Sequence, residues 1–360
     1  MARFPLTAAT NGLNNMLRII LAFLLLATPL LAAPASHEAT LRALMPAQGR
    51  VLNGVFPGGY TGDEDDITPD QVRDYERLVG QRVAWVMFSH NWFQGRAFPA
   101  DTAGWIRGQG ATPYIRLMLR SDTELTHREP LYTLQAIIDG DFDSDLAAWA
   151  QAAARFGTPI ISEFGTEMNG DWFPWNARWN GRRTGAARFQ AAYRHIIDIM
   201  RANGASNVIW VFHVNNLDGP PRGWNRFERY YPGDEYIDWL GVSIYSAQGP
   251  HEDWTVDFTQ SLPEVMARFA AMAPDKPVIV AEFGTDVNNP QEPAGPWADA
   301  ALKLVLSGRY PNLIGFNWWN ETWPNGDDPA DATDYRVGAS ADLTAVMRRQ
   351  LSRRSVQSRP

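Results

Sequence analysis

The chain contains no cysteine among its 360 residues. That excludes a disulfide framework, a zinc–thiolate centre and a thiol nucleophile. Positive charge is also scarce. Thirty-two Lys and Arg stand against 40 Asp and Glu, for a net charge of -8, which argues against nucleic acid or an anionic membrane surface as partner. No uninterrupted apolar run is long enough to span a bilayer. The stretch Ile19–Leu26, extended through Leu30, Leu31 and Ala32, is broken by Pro29 and falls short of a spanning helix. With Arg18 before it and the small residues Ala33 and Ala35 after it, it reads instead as a secretory signal over residues 1–35, cleaved near Ala33 to Ser36. Met16 stands just ahead of Arg18 and is a candidate for the true start. The expected product is a secreted or periplasmic monomer with no stable membrane insertion after cleavage. No internal repeat or interdomain linker interrupts the rest.

Tryptophan is abundant, with fifteen copies. An indole pairs a large apolar face with one polar N–H, which suits core packing and equally suits stacking on pyranose rings.

The mature chain alternates strand-like and helix-like patterns. Eight strands are expected, at Val51–Phe56, Val83–Phe88, Pro113–Leu119, Pro159–Phe164, Val208–His213, Trp239–Tyr245, Pro277–Phe283 and Leu313–Trp319. Most are apolar throughout, as parallel strands buried on both faces are. Between them lie helices. Thr68 and Pro69 mark the cap and first residue of one that Gly80 ends; Asp143–Phe156 is stopped by Gly157; Thr184–Asn203 follows. Shorter helices fall near Ala103–Gln109, Leu131–Ile138, Leu262–Ala273 and Trp297–Leu306, and a last one over Ala341–Leu351. This order predicts a single-domain α/β fold, a (β/α)8 TIM barrel over residues 36–351, followed by a disordered polar tail, 352–360.

Active sites of such barrels lie at the C-terminal strand ends. Two stretches there carry chemistry. PIISEFGTEMNGDWFPW, Pro159 to Trp175, brings Glu167 past an apolar strand with Trp172, Phe173 and Trp175 just beyond. KPVIVAEFGTD, Lys276 to Asp286, ends a second apolar strand in Glu282. Two strand-end carboxylates suit work across one glycosidic bond. Glu163, four residues before Glu167, is its rival on the same strand. The other strand ends supply Tyr60, His90, Trp92, Arg116, His213, Asn215, Tyr245, Trp318, Trp319, Asn320 and Trp323. The acidic runs Asp63–Asp66 and Asp327–Asp334 lack EF-hand spacing and read as solvated loops.

Over about residues 48–350 the chain resembles glycoside hydrolase family 26, most specifically in EMNGDWFPW, in AEFGTD and at Trp318–Asn320. The resemblance implies a retaining mechanism with Glu167 as acid/base and Glu282 as nucleophile, and it requires neither cofactor nor metal. It further implies sugar contacts at Trp172, at Tyr245 beside the nucleophile, and at His90; Trp92, Trp318 and Trp319 complete the expected substrate-binding set. Glu167 then needs a raised pKa, which Glu282 and the aromatic wall would supply. Three positions depart from the family's mannanases: Thr166 replaces a histidine, Ser243 an aspartate and Trp319 an arginine. A β-linked polysaccharide is expected as substrate, β-mannan first and mixed-linkage β-glucan next, with weak discrimination between them because an indole reads shape rather than hydroxyls. The competing class is a catalytically silent polysaccharide-binding protein. A transporter's solute-binding protein fits less well, since it would be built as two lobes.

Overall fold

The computed structural model describes residues 1–2, 36–123 and 126–359. The signal segment expected over residues 1–35 lies outside these, Met1 and Ala2 apart. In chain order the elements are α1 (His37–Ala43), β1 (Val51–Phe56), α2 (Pro69–Val79), β2 (Trp85–Asn91), α3 (Ala100–Gly108), β3 (Thr112–Met118), α4 (Leu134–Ile138), α5 (Asp143–Phe156) and β4 (Ile160–Phe164). Then come α6 (Gly185–Ala202), β5 (Val208–Asn215), β6 (Trp239–Tyr245), α7 (Phe258–Met272), β7 (Val278–Gly284), α8 (Ala294–Val305) and β8 (Leu313–Trp319). The short pair β9 (Thr322–Trp323) and β10 (Thr333–Asp334), then α9 (Ala341–Leu351) and β11 (Val356–Gln357), complete the chain. Strands β1 to β8 pair in sequence order, all parallel, and β8 pairs back onto β1, closing the barrel.

Local chemistry accounts for most boundaries. Thr68 and Gln71 form a reciprocal capping box at the start of α2, and Gly80 ends it in the left-handed region. Helix α7 starts four residues before the expected Leu262, because Asp257 caps it through the Thr259 N–H at 2.7 Å and Pro263 is tolerated near the start. The tail is not disordered as expected. Val356 is buried, and Val356 and Gln357 pair in parallel with Val51 and Leu52, so the unpaired edge residues at the start of β1 gain a partner.

A tryptophan plugs the barrel below the site. Trp85 lies inside, its indole N–H donating to Asn317 Oδ1 at 3.1 Å, with Trp239 tilted against it. Gly54 on β1 and Gly315 on β8 make the room; a Cβ at either would collide with that indole. This apolar floor leaves the upper half of the barrel to polar side chains.

Candidate active site

Alternate strand residues face inward, so strand parity decides what reaches the cleft. Ser89 on β2 faces in: its hydroxyl donates to Glu64 at 2.7 Å, and Arg116 lies beside it. His90 therefore faces out, toward α3, in a small separate cavity with Phe88 and Thr102. Burial lowers its ring to about 4, which keeps it neutral. Trp92 is buried beside the edges of Tyr132 and Phe142. Trp318 is buried against Phe283 on the helix side, its N–H spent on the Tyr335 carbonyl at 2.9 Å. These three expected sugar contacts, His90, Trp92 and Trp318, thus belong to the wall behind the strands. Trp319, one residue on, faces in. It stacks on Phe56 with ring centroids 4.0 Å apart and lines the cleft.

Glu167 is not on β4. The strand ends at Phe164; Gly165 turns the chain in the left-handed region with the Phe189 ring packed where a Cβ would sit, and Glu167 itself has φ +46°. Such a conformation is strained for a non-glycine residue. The strain is held by the Glu167 N–H donating to the His213 carbonyl at 3.0 Å. Both carboxylate oxygens are engaged: the Trp172 indole N–H donates at 2.7 Å and the Asn215 amide at 3.0 Å. Trp172, about two-fifths exposed, is positioned by that bond with its ring open to the cleft.

Glu282 reaches the cleft through a β-bulge. Val242 pairs with Val280, but Ser243 pairs with Glu282. The extra residue lets Ala281 pack beside Gly241 inside the barrel while its neighbour Glu282 also points in. Tyr245 donates its hydroxyl to Glu282 Oε2 at 2.8 Å, and Arg116 Nε lies 3.5 Å from Oε1. Burial pushes the Glu282 carboxyl up to about 7; Arg116 and His213 work against that shift, and Glu167 and Glu163 add to it. The nearest ligand-type atoms of Glu167, Glu282 and His213 all lie within 4.8 Å of one another.

Glu163, the rival on β4, is committed elsewhere. Tyr114 donates to it at 2.6 Å, His213 Nδ1 lies 3.0 Å from both its oxygens, and Thr166 bonds it as well. It forms the floor of the site and does not line the cleft. The run Asp63–Asp66 is not a simple solvated loop: Glu64, at φ +63°, turns inward to pair with Arg116 at 2.6 Å. Sequence reasoning missed this residue, and it missed Gln248, Trp254 and Glu321, because loop residues carry no periodicity to place them.

The cleft has two arms that share Glu167, Trp172, Tyr245 and Gln248. One, of about 480 Å3, continues past Glu282 and Trp319 to Glu321 and Trp323. The other, of about 790 Å3, runs past Asn215 and Leu217 to Trp254. Leu217 and Trp254 are both exposed, so this arm presents apolar surface to whatever fills it.

A family model matches the stretch that carries most of this arrangement. Glycosyl hydrolase family 26 matches residues 130–288, which include both glutamates, His213 and Tyr245. Over this stretch the chain is similar to glycosyl hydrolase family 26. The chain is similar to Endoglucanase H of Acetivibrio thermocellus, 28% identical over 304 residues that cover 83% of this chain and 31% of the relative. It is also similar to the mannan endo-1,4-beta-mannosidase of Bacillus subtilis, 24% identical over 186 residues, 50% of this chain and 44% of the relative. The chain thus spans less than half the length of these curated relatives. Among solved structures, the Cellulomonas fimi endo-beta-1,4-mannanase double mutant superposes with a TM-score of 0.64 at 20% identity, covering 90% of this chain and 76% of that one. The Bacteroides ovatus family 26 beta-mannanase gives 0.62 at 16% identity, covering 89% and 94%. These likenesses establish the shared (β/α)8 barrel.

Proposed function

We propose that this chain is a family 26 retaining endo-β-1,4-glycanase, with Glu282 as nucleophile and Glu167 as acid/base. The observation that carries the reading is the pair itself: one carboxyl from the turn after β4 and one from β7, with oxygens within 4.8 Å across one cleft. Retention needs carboxyls roughly 5–5.5 Å apart, whereas inversion needs a wider gap to admit water. Glu282, ionised and oriented by Tyr245, attacks the anomeric carbon. Glu167, protonated at that moment, donates to the leaving oxygen and then draws a proton from water as it opens the glycosyl-enzyme. The arm beyond Glu282 holds the glycone and the arm toward Trp254 the leaving group. Because Glu282 must lose its proton to attack, the acid limb of activity falls near 7 (its shifted pKa) rather than near the ordinary carboxylate value.

β-Mannan is the leading substrate, since several relatives and structural neighbours are mannanases. Mixed-linkage β-glucan is the second reading, favoured because the relative aligned over most of this chain is an endoglucanase. Export as a secreted or periplasmic enzyme is part of the proposal. No helix among the described residues is long and apolar enough to cross a membrane. A panel of mannan, glucomannan, lichenan and carboxymethylcellulose, with anomers followed by NMR, tests the reading. The expected result is hydrolysis of at least one β-1,4 backbone with the β-anomer released first. Release of the α-anomer, or no hydrolysis of any member, would refute it.

The glycone arm carries a specificity prediction. Trp319 offers a ring face and no free polar group, because its N–H is bonded to Glu321 at 3.0 Å. Trp319→Ala is therefore expected to weaken mannan and glucan together, mainly through KM and by roughly 1–3 kcal/mol. Its stack on Phe56 also means a lower melting temperature. Kinetics on both backbones well below that temperature check this. A loss confined to one backbone would move discrimination onto Trp319 itself.

A further inference from the structure

Six ionisable groups crowd the cleft floor beside Tyr114 and Tyr245. They are the carboxyls of Glu64, Glu163, Glu167 and Glu282 and, as possible cations, Arg116 and His213. Glu321 stands further along the glycone arm, where burial and Glu64 push it up to about 8. Arg116 is bound most closely to Glu64, at 2.6 Å, and reaches Glu282 only at 3.5 Å. One positive charge is then too little for a floor that must keep Glu163 and Glu282 both ionised.

His213 supplies the second. Its side chain is fully buried on β5. Nδ1 faces both oxygens of Glu163 at 3.0 Å, and Nε2 lies 2.7 Å from Ser243 Oγ. From β3 it is faced by Arg116 and Tyr114, which act through Glu163. From β4 and its turn come Glu163, Thr166 and Glu167; from β6 Ser243 and Tyr245; from β7 Glu282. Every carboxyl in that shell favours a charged ring, and a serine hydroxyl can accept from Nε2–H as readily as donate to Nε2.

We propose that His213 is a positioning residue for hydrolysis: a buried imidazolium, locked to Glu163 through Nδ1 and to Ser243 through Nε2, whose charge keeps the neighbouring Glu282 ionised for attack. The proposal rests on the assignment of Glu282 as nucleophile. In this state Nε2–H donates to Ser243 Oγ, and the serine turns its own proton away from the ring. Loss of the charge leaves Arg116 alone against three carboxylates, and Glu282 then holds its proton to higher pH. The directions agree. Burial lowers the His213 pKa, but Glu163, Glu282 and Glu167 together raise the ring above its ordinary value; Glu163, which burial would raise, is held below its own by His213 and Arg116.

Two measurements test this. Imidazole 15N spectra of the wild type should show one buried histidine, His213, still in the imidazolium form at about pH 7.5, above the ordinary histidine range. His90, buried and neutral, is the internal contrast. The pH profile of kcat/KM should move its acid limb upward by about one to three pH units in His213→Asn, the range for losing a charge at 4–6 Å. Activity should return toward the wild-type level above the new limb. A purely structural histidine would instead lower activity evenly at all pH values. A neutral His213 at about pH 6 in the wild type, or an unmoved limb in His213→Asn, overturns the proposal. If His213→Asn does not fold, the wild-type spectra decide together with those of Glu163→Gln, in which the His213 ring should lose its charge at lower pH. Absence of all glycosidase activity in the wild type would count against the assigned function, and the spectra would still report the charge of His213.

Discussion

Glu282→Ala is expected to cleave polysaccharide several orders of magnitude more slowly than the wild type, because it removes the atom that forms the covalent intermediate. Glu167→Ala should lose as much on polysaccharide and far less on an aryl glycoside with an activated leaving group, whose departure needs no proton. Azide separates the two. In Glu282→Ala it enters from the vacated face and gives the α-azide. In Glu167→Ala the glycosyl-enzyme still forms on Glu282, and azide opens it to the β-azide. Product stereochemistry by NMR is the readout. Near wild-type turnover in both variants, or exchanged azide products, would show the roles to be wrong. The surroundings make the contrast sharp: Glu167 holds Trp172 and Asn215 through its two oxygens, whereas Glu282 has one oxygen on Tyr245 and the other without a hydrogen-bond donor, turned toward Arg116.

Arg116→Met should destabilise the fold by about 3–5 kcal/mol at neutral pH, the usual cost of stranding a buried charge by removing its partner. Arg116 is 3% exposed and faces Glu64 at 2.6 Å, Glu282 at 3.5 Å and Glu163 at 3.7 Å. The loss should depend on pH. The folded Glu282 carboxyl is shifted from 4.5 up to about 7, so between those values the native state binds more protons than the unfolded chain. Its contribution to stability is therefore present at low pH and is lost as pH rises through 7. Without Arg116 this carboxyl shifts higher still, and the penalty at pH 7 should exceed that at about pH 5. Chemical denaturation at the two pH values measures it. An equal loss at both would mean that packing, not charge, is what Arg116 supplies.

The sequence by itself determined the number and order of the barrel strands, because buried parallel strands are written as uninterrupted apolar runs and their helices carry capping residues and terminal glycines. It also pointed to Glu167 and Glu282, since a carboxylate directly beyond such a run has no place in a core. Which neighbouring side chains meet those two groups was decided by tertiary structure. Side chains alternate along a strand, so a pairing register shifted by one residue exchanges the inner and outer sets. Strand β2 runs on to Asn91 rather than stopping at Phe88, and with Ser89 inside, His90 is turned toward the helices. On β8 the same parity brings in Trp319 and sends Trp318 out. At Glu282 alternation itself is broken, and only the pairing of β6 with β7 reveals the bulge. Glu64 and Arg116, and likewise His213 and Ser243, lie far apart in the chain and meet only when the barrel closes. What each does there depends on the charges brought around it, and no local pattern in the sequence records them.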